Sequence, residues 1–433
     1  MSQYKENIIN NFAVQVFNVV LSFIISIIVS RQLGPTNKGN LTFFMLIADL
    51  FCNYGHLGVI NSTTYFQTRK NYNRQFIYRV NLTYNLFIWG ITTICFFCLY
   101  KNKILFVNYS KFLFLCFLAY TLLTLLKVFL NTIYVGDERI KEMNRYYVIS
   151  SIISSSLIII NIKNINLETY LIIKIVEMII NDFLLFIKSG YKYKFTLKIN
   201  IIIEEIKYGV NPLLANLCIY LNYKVDLFLI KFFVGNTELG LYALAVSLAE
   251  LVLIIPQAIS NPITARLYNL PKESKERKEI VIRTLRYGFT SCIIISCLGI
   301  MCIPLIPIVY SLKYKGSMII TFILFFSIPF VSIGKITIPY FYSSGNVSAI
   351  NKFSFISLLI NTVLNLILIP KFHGIGAAIA STFSYLAYGI QYINFFKKEF
   401  NVSSKELLLI NRKDLTLIIK EAKEFLKISR KKR

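Results

Sequence analysis

The chain has 433 residues, 56% of them hydrophobic and 16% charged, with a formal net charge of +26. Soluble domains carry about 25% charged residues, whereas here apolar runs of roughly 20 residues, enough to cross a bilayer, recur along nearly the whole chain. That excludes an ordinary soluble protein. The positive charge sits between the apolar runs, where it orients helices, so no nucleic acid partner is expected.

The runs predict an all-α polytopic membrane protein of about twelve transmembrane helices, near 8–31, 39–62, 80–100, 112–134, 146–162, 168–187, 207–231, 238–264, 287–310, 317–340, 350–370 and 374–396. The first run is too long for a signal peptide and has no A-x-A site after it, so it reads as a permanent span. Between the fifth and sixth, Asn161, Lys163 and Asn164 interrupt the apolar pattern. The eight cysteines all fall inside apolar segments, and the Cys95/Cys98 pair has no second pair or nearby histidine to complete a zinc set. Alternate loops hold 33 Lys and Arg against 10 in the opposite set. The positive-inside rule then puts both termini, Lys70, Arg277 and Arg430 in the cytoplasm, with Lys103 and Lys313 outside.

A shift of 201 residues superimposes Leu33-Gly34-Pro35-Thr36-Asn37-Lys38-Gly39 on Val234-Gly235-Asn236-Thr237-Glu238-Leu239-Gly240, with both glycines and the threonine coinciding. It also places Asn10 on Asn211 and Asp49 on Glu250. The expected halves are 1–200 and 201–396, parallel repeats about an axis along the membrane normal. Prolines concentrate in the second half, which predicts more kinked helices there. In the segment 397–433, Leu415, Ile418, Ile419, Ala422, Phe425 and Leu426 form a helical stripe flanked by lysines and arginines, the pattern of an amphipathic helix on an anionic leaflet.

Ionisable residues within spans are costly unless paired or hydrated. Lys127, Lys174 and Lys335 lie within about two turns of helix ends and can snorkel. Lys174 and Glu177, three apart, can pair on one face; Asp182 follows in the same span. Asp49 and Glu250 lie near mid-helix at equivalent repeat positions. Lys224 and Asp226, two apart, do not share a face. A hydrated cavity between the halves and a static buried network both account for this set. Arg31, at the outer end of the first helix, either anchors that end or makes bidentate contact with phosphate. No catalytic constellation, metal site or P-loop is present, and with outer loops of about 3–11 residues the chain reads as a transporter, not an enzyme.

Ser30-Arg31-Gln32-Leu33-Gly34-Pro35 with Gly39-Asn40-Leu41, and Leu57-Gly58 before Tyr65-Phe66, resemble the first-helix signature of Wzx-type oligosaccharide-lipid flippases. Val225-Asp226 leading to Val234-Gly235 and Leu239-Gly240-Leu241-Tyr242-Ala243 is similar to that family's link between helices seven and eight. Asn365 to Pro370 with Gly374-Ile375-Gly376-Ala377 resembles its eleventh-to-twelfth segment. The resemblance covers about residues 8–396 and implies a MATE-like fold of two six-helix bundles. It implies as substrate an undecaprenyl-pyrophosphate-linked oligosaccharide, moved between leaflets of the cytoplasmic membrane for O-antigen or capsule synthesis. No cofactor is implied; membrane lipid, a polymerase and a chain-length regulator are the other partners. Arg31 and Lys224, with Lys127 and Lys174, would meet the pyrophosphate, while Asp49, Glu177, Asp226 and Glu250 would serve ion coupling or a charge network. The acidic groups leave a cation-coupled drug exporter as an alternative, and a non-transporting scaffold for polysaccharide assembly as another.

Overall fold

The computed structural model describes residues 2–69, 72–106, 109–271, 273–411 and 414, among which there is no strand. The chain runs through α1 (Ser2–Tyr54), α2 (Val59–Arg69), α3 (Arg74–Lys101), α4 (Lys111–Gly136), α5 (Ile140–Ile160), α6 (Leu167–Lys188) and α7 (Ile199–Phe233). It continues through α8 (Asn236–Val252), α9 (Ile254–Asn269), α10 (Lys275–Cys302), the short α11 (Ile306–Val309), α12 (Ser317–Ser344), α13 (Val347–Phe400) and α14 (Ser404–Leu408). Polar side chains start several of these helices by accepting an otherwise orphaned amide. Asn73 takes the Gln75 N–H at 2.8 Å, Asn166 that of Thr169 at 2.8 Å and Ser274 that of Arg277 at 3.2 Å.

The breaks follow local chemistry. α1 and α13 each join two rods across one non-helical residue, Gly34 (φ 69°, ψ 173°) and His373 (φ 53°, ψ −132°), at the expected boundaries between spans. Gly235, the repeat partner of Gly34, also has positive φ, 114°, a conformation open to glycine. The turn Ile162–Asn164 separates α5 from α6 where the polar residues interrupt the sequence. Two predicted spans are themselves divided. The second breaks over 55–58, where Leu57 and Gly58 have positive φ, and the eighth breaks at Leu253 between α8 and α9. In the second half, three breaks have a proline close by: Pro212 precedes the 44° bend between Ile199–Leu214 and Asn216–Phe233, Pro256 follows Leu253 and Pro370 precedes His373. Pro329 and Pro339 instead lie inside an uninterrupted α12. Pro339 cannot donate to the carbonyl of Lys335, and the Ser260 hydroxyl lies 3.4 Å from that oxygen to supply the missing donor.

Among the described residues, eight helices are long and apolar enough to cross a membrane, or nine if the bent α7 counts as one span. The charges of α6 (Glu168, Lys174, Glu177, Asp182 and Lys188) keep it out of that apolar set. The protein is therefore a multi-pass membrane protein. α10 begins at Lys275, ahead of the ninth span expected near 287, so the basic residues from Lys275 to Arg286 occupy its first turns.

Two compact units result, one reaching Tyr220 and including Val309–Lys313, the other taking the rest. In the first, Tyr78, Phe129, Ile133, Tyr134 and Leu185 form a buried cluster. Gly209 there packs so closely that a Cβ would lie 2.0 Å from the Gly58 carbonyl oxygen. The linker after α6 is strapped to α3 and α4: Gln75 donates to Lys192 O at 2.6 Å and Tyr191 OH donates to Asp137 Oδ1 at 2.9 Å. Burial, then that carboxylate contact, pushes the Tyr191 hydroxyl pKa up. In the second unit, Phe341 packs edge-on against Tyr392 and Phe396. After α13, Ser403 and Glu406 form a capping box on α14, and Arg286 pairs with buried Asp414 at 2.7 Å. The stripe from Leu415 to Leu426, Lys70 and Arg430 lie outside the described residues.

Candidate functional site

In the first unit the intramembrane charges gather on α4 and α6. Lys174 Nζ donates to Glu177 Oε2 at 2.7 Å, the (i, i+3) pair expected from spacing. Lys127 Nζ stands 4.7 Å from the centroid of the Tyr147 ring, a cation–π contact. A cavity of about 230 Å³ lies beside it, lined by Lys127, Asn131, Met143, Asn144, Tyr147 and Asn181. Asn181 Nδ2 donates to Asp182 Oδ1 at 3.2 Å. Asp49, on α1, is half-buried. Arg31 is exposed, three residues before Gly34.

The second unit holds two arrangements on α7. Lys224 pairs with Glu250 of α8 at 3.0 Å, with 26% and 42% of the side chains exposed. Lys335 Nζ lies 5.1 Å from the Tyr223 ring centroid. Two residues beyond Lys224, Asp226 is only 1% exposed and belongs to another network. Its carboxylate accepts from the Tyr242 hydroxyl, from Ser381 Oγ at 3.2 Å and from its neighbour's amide, Leu227 N, at 2.8 Å. Farther along, Asn361 Nδ2 donates to Asn222 O at 2.9 Å, Asn365 Nδ2 to Asn361 Oδ1 at 2.6 Å, and Ser384 Oγ to Asn222 Oδ1 at 3.0 Å. This polar ladder links α7 and α13, and the Asp226 network adds α8. Such groups are tolerated at membrane depth when they satisfy one another.

The structure thus joins Lys174 with Glu177 and Lys224 with Glu250, and keeps Asp226 in a closed network of its own. Sequence reasoning missed Asn222, Asn361 and Ser384, although Asn361 and Asn365, four apart in an apolar run, are a visible signal. It also missed Glu205, fully buried and held by Asn81 Nδ2 at 3.0 Å. The doubled Glu204-Glu205 points two carboxylates to different faces of one helix, which was the available clue. Arg277, read as a loop charge, is corrected: it is 2% exposed and donates to Ser343 Oγ at 2.7 Å. No cluster of metal-ligating side chains occurs among the described residues.

Residues 4–268 match the family described as polysaccharide biosynthesis protein. The chain belongs to that family. A search of curated proteins finds no match. Among solved structures, an inward-facing multidrug resistance MATE transporter of the MOP superfamily matches with a TM-score of 0.73 at 12% identity, covering 89% of this chain and 94% of that one. The lipid II flippase MurJ in an inward closed conformation matches with a TM-score of 0.75 at 15% identity, covering 92% and 88%. A point mutant of the Vibrio cholerae MATE transporter VcmN matches with a TM-score of 0.57 at 13% identity, covering 92% and 95%. This member of the polysaccharide biosynthesis family therefore has the fold those transporters share.

Proposed function

We propose that the protein is a flippase that moves an undecaprenyl-pyrophosphate-linked oligosaccharide from the inner to the outer leaflet of the cytoplasmic membrane, for O-antigen or capsule synthesis. The observation that carries this reading is the family match over residues 4–268; the fold shared with a lipid II flippase supports it. In this reading the chain crosses the membrane twelve times with both termini cytoplasmic. Halves 1–200 and 201–396 alternate access to the substrate, and a polymerase and chain-length regulator act on the product. Arg31 and Lys224, on the first and seventh spans, meet the pyrophosphate. Lys127 and Lys174 supply further positive charge, and Asp49, Glu177, Asp226 and Glu250 form the coupling or charge network.

The test is deletion and complementation. Loss of the chain should abolish surface polysaccharide and accumulate lipid-linked sugar in the inner leaflet; normal polysaccharide in the deletion strain would reject the assignment. Arg31→Ala and Lys224→Ala should each reduce complementation about ten- to hundredfold, more than Lys335→Ala, because a pyrophosphate leaving water must regain charge-assisted hydrogen bonds. Full activity of the double variant would remove both residues from the mechanism. Orientation is testable at Arg283, an exposed position on α10. A cysteine there should resist an impermeant reagent in intact cells.

A second reading, a cation-coupled drug exporter, is favoured by the buried carboxylate of Asp226 and by the MATE fold. It predicts drug accumulation in the deletion strain with polysaccharide unchanged.

A further inference from the structure

Within the first unit, a separate cavity of about 100 Å³ lies among α1, α5 and α6. Lys38, Ser151, Ser154, Ser155, Tyr170 and Lys174 are among its lining residues, together with serines and aliphatic side chains of α1. No carboxylate is part of that lining. Lys174 is already balanced by Glu177 at 2.7 Å. Lys38 is partly buried, and no carboxylate among the described residues pairs with it.

The serines of α5 divide into two kinds. Ser150 and Ser154 turn their hydroxyls back on the helix, to Tyr147 O at 3.0 Å and Ser151 O at 3.2 Å. The hydroxyls of Ser151 and Ser155, 8% and 6% exposed, donate to no protein group among the described residues and line the cavity. The Tyr170 hydroxyl, on a residue 8% exposed, does the same. Hydroxyls that open onto a polar cavity are completed by water or by a ligand, and a charge withdrawn from water needs a counter-charge. Water would satisfy the hydroxyls but leave the Lys38 ammonium unbalanced. The Lys38 ammonium, the one charge there without a carboxylate beside it among the described residues, repels a cation.

We propose that this cavity is a binding site for a small inorganic anion, held by the Lys38 ammonium and by hydrogen bonds from Ser151, Ser155 and Tyr170. Its volume, against the roughly 10–15 Å³ that one water requires, admits a halide with residual water or a single phosphate. Both carry negative charge and accept several hydrogen bonds at once. The inference does not depend on the flippase reading, because binding is measured without transport.

The experiment uses the full-length protein purified in detergent with gluconate as the bulk anion. Sodium chloride and sodium phosphate are titrated separately at constant ionic strength, by calorimetry and by the rise in unfolding temperature that a ligand specific for the folded state produces. Saturable binding of at least one anion is expected, and the arm that saturates identifies the halide or the phosphate as occupant. Lys38→Gln should weaken it about ten- to hundredfold, the effect of losing a charged hydrogen-bond donor. Ser155→Ala should weaken it about fivefold, as loss of a neutral donor does, and Lys38→Arg should retain most of it. Unfolding temperatures in gluconate show whether each variant is folded; should Lys38→Gln not fold, Ser155→Ala carries the test. The proposal fails if neither anion saturates, or if the folded variants bind as the wild type does. A cavity holding water alone gives that result.

Discussion

In the second unit the buried carboxylate of Asp226 is enclosed by donors from its own fold, the Tyr242 and Ser381 hydroxyls and the Leu227 amide. In the first unit Lys38 lines a serine-rich cavity with no carboxylate in its lining. The closed arrangement completes its hydrogen bonds by packing, so its chemistry is bound up with stability. The open one leaves donors for something that arrives from outside. Polarity in a membrane protein is therefore informative less by its presence than by whether the protein itself satisfies it.

The comparison is broken most directly at Asp226. Replacement by alanine removes the acceptor shared by Tyr242 and Ser381 and leaves buried donors without it, which costs about 3 kcal/mol. Thermal unfolding in detergent should show a large loss for Asp226→Ala and a smaller one for Asp226→Asn, which keeps an acceptor. An Asp226→Ala protein as stable as wild type would mean that water completes the network and that the two units do not differ in this respect.

The next effect concerns backbone approach. At Gly209 an added Cβ would lie 2.0 Å from the Gly58 carbonyl oxygen, and both sides of that contact are main chain. Gly209→Ala should destabilise by about 2–3 kcal/mol, because neither backbone yields without displacing its helix. At Gly235 nothing among the described residues lies within 4 Å, but φ is 114°. Gly235→Ala should cost about 1 kcal/mol, from backbone strain alone. Equal losses at the two sites would show that conformation, not close approach, dominates at both.

These positions also show what the sequence makes legible. Apolar run length located the helices, and Gly34 and Gly235 stood out through the repeat, because hydrophobic periodicity and positive φ are local properties. The Lys174–Glu177 pair was visible for the same reason, being set by helical spacing alone. The Lys224–Glu250 pair was not, since 26 residues and a turn separate the partners; the repeat pointed instead from Glu250 to Asp49. The fate of Asp226 was equally hidden, because its donors come from α8 and α13. Arg277 was misread for a related reason: charge density suggested a loop, whereas Ser274 caps a helix whose first turn buries the guanidinium against Tyr340 at 5.1 Å.

The smallest stability effect is expected at Lys224, and it sharpens the functional side of the comparison. The pair with Glu250 is partly exposed. Pairs of that kind contribute less than about 1 kcal/mol, since solvent screens them and fixing two side chains costs entropy. Lys224→Ala and Glu250→Ala should therefore both unfold close to the wild-type temperature, and a double-mutant cycle should give a small coupling. Their effects on complementation should differ. A cation that meets a pyrophosphate is needed in itself, whereas the carboxylate competes with the substrate for it. Lys224→Ala should then lose activity while Glu250→Ala retains it. Equal loss in both variants, at unchanged stability and expression, would identify the pair as the working unit and reject direct contact between Lys224 and the substrate.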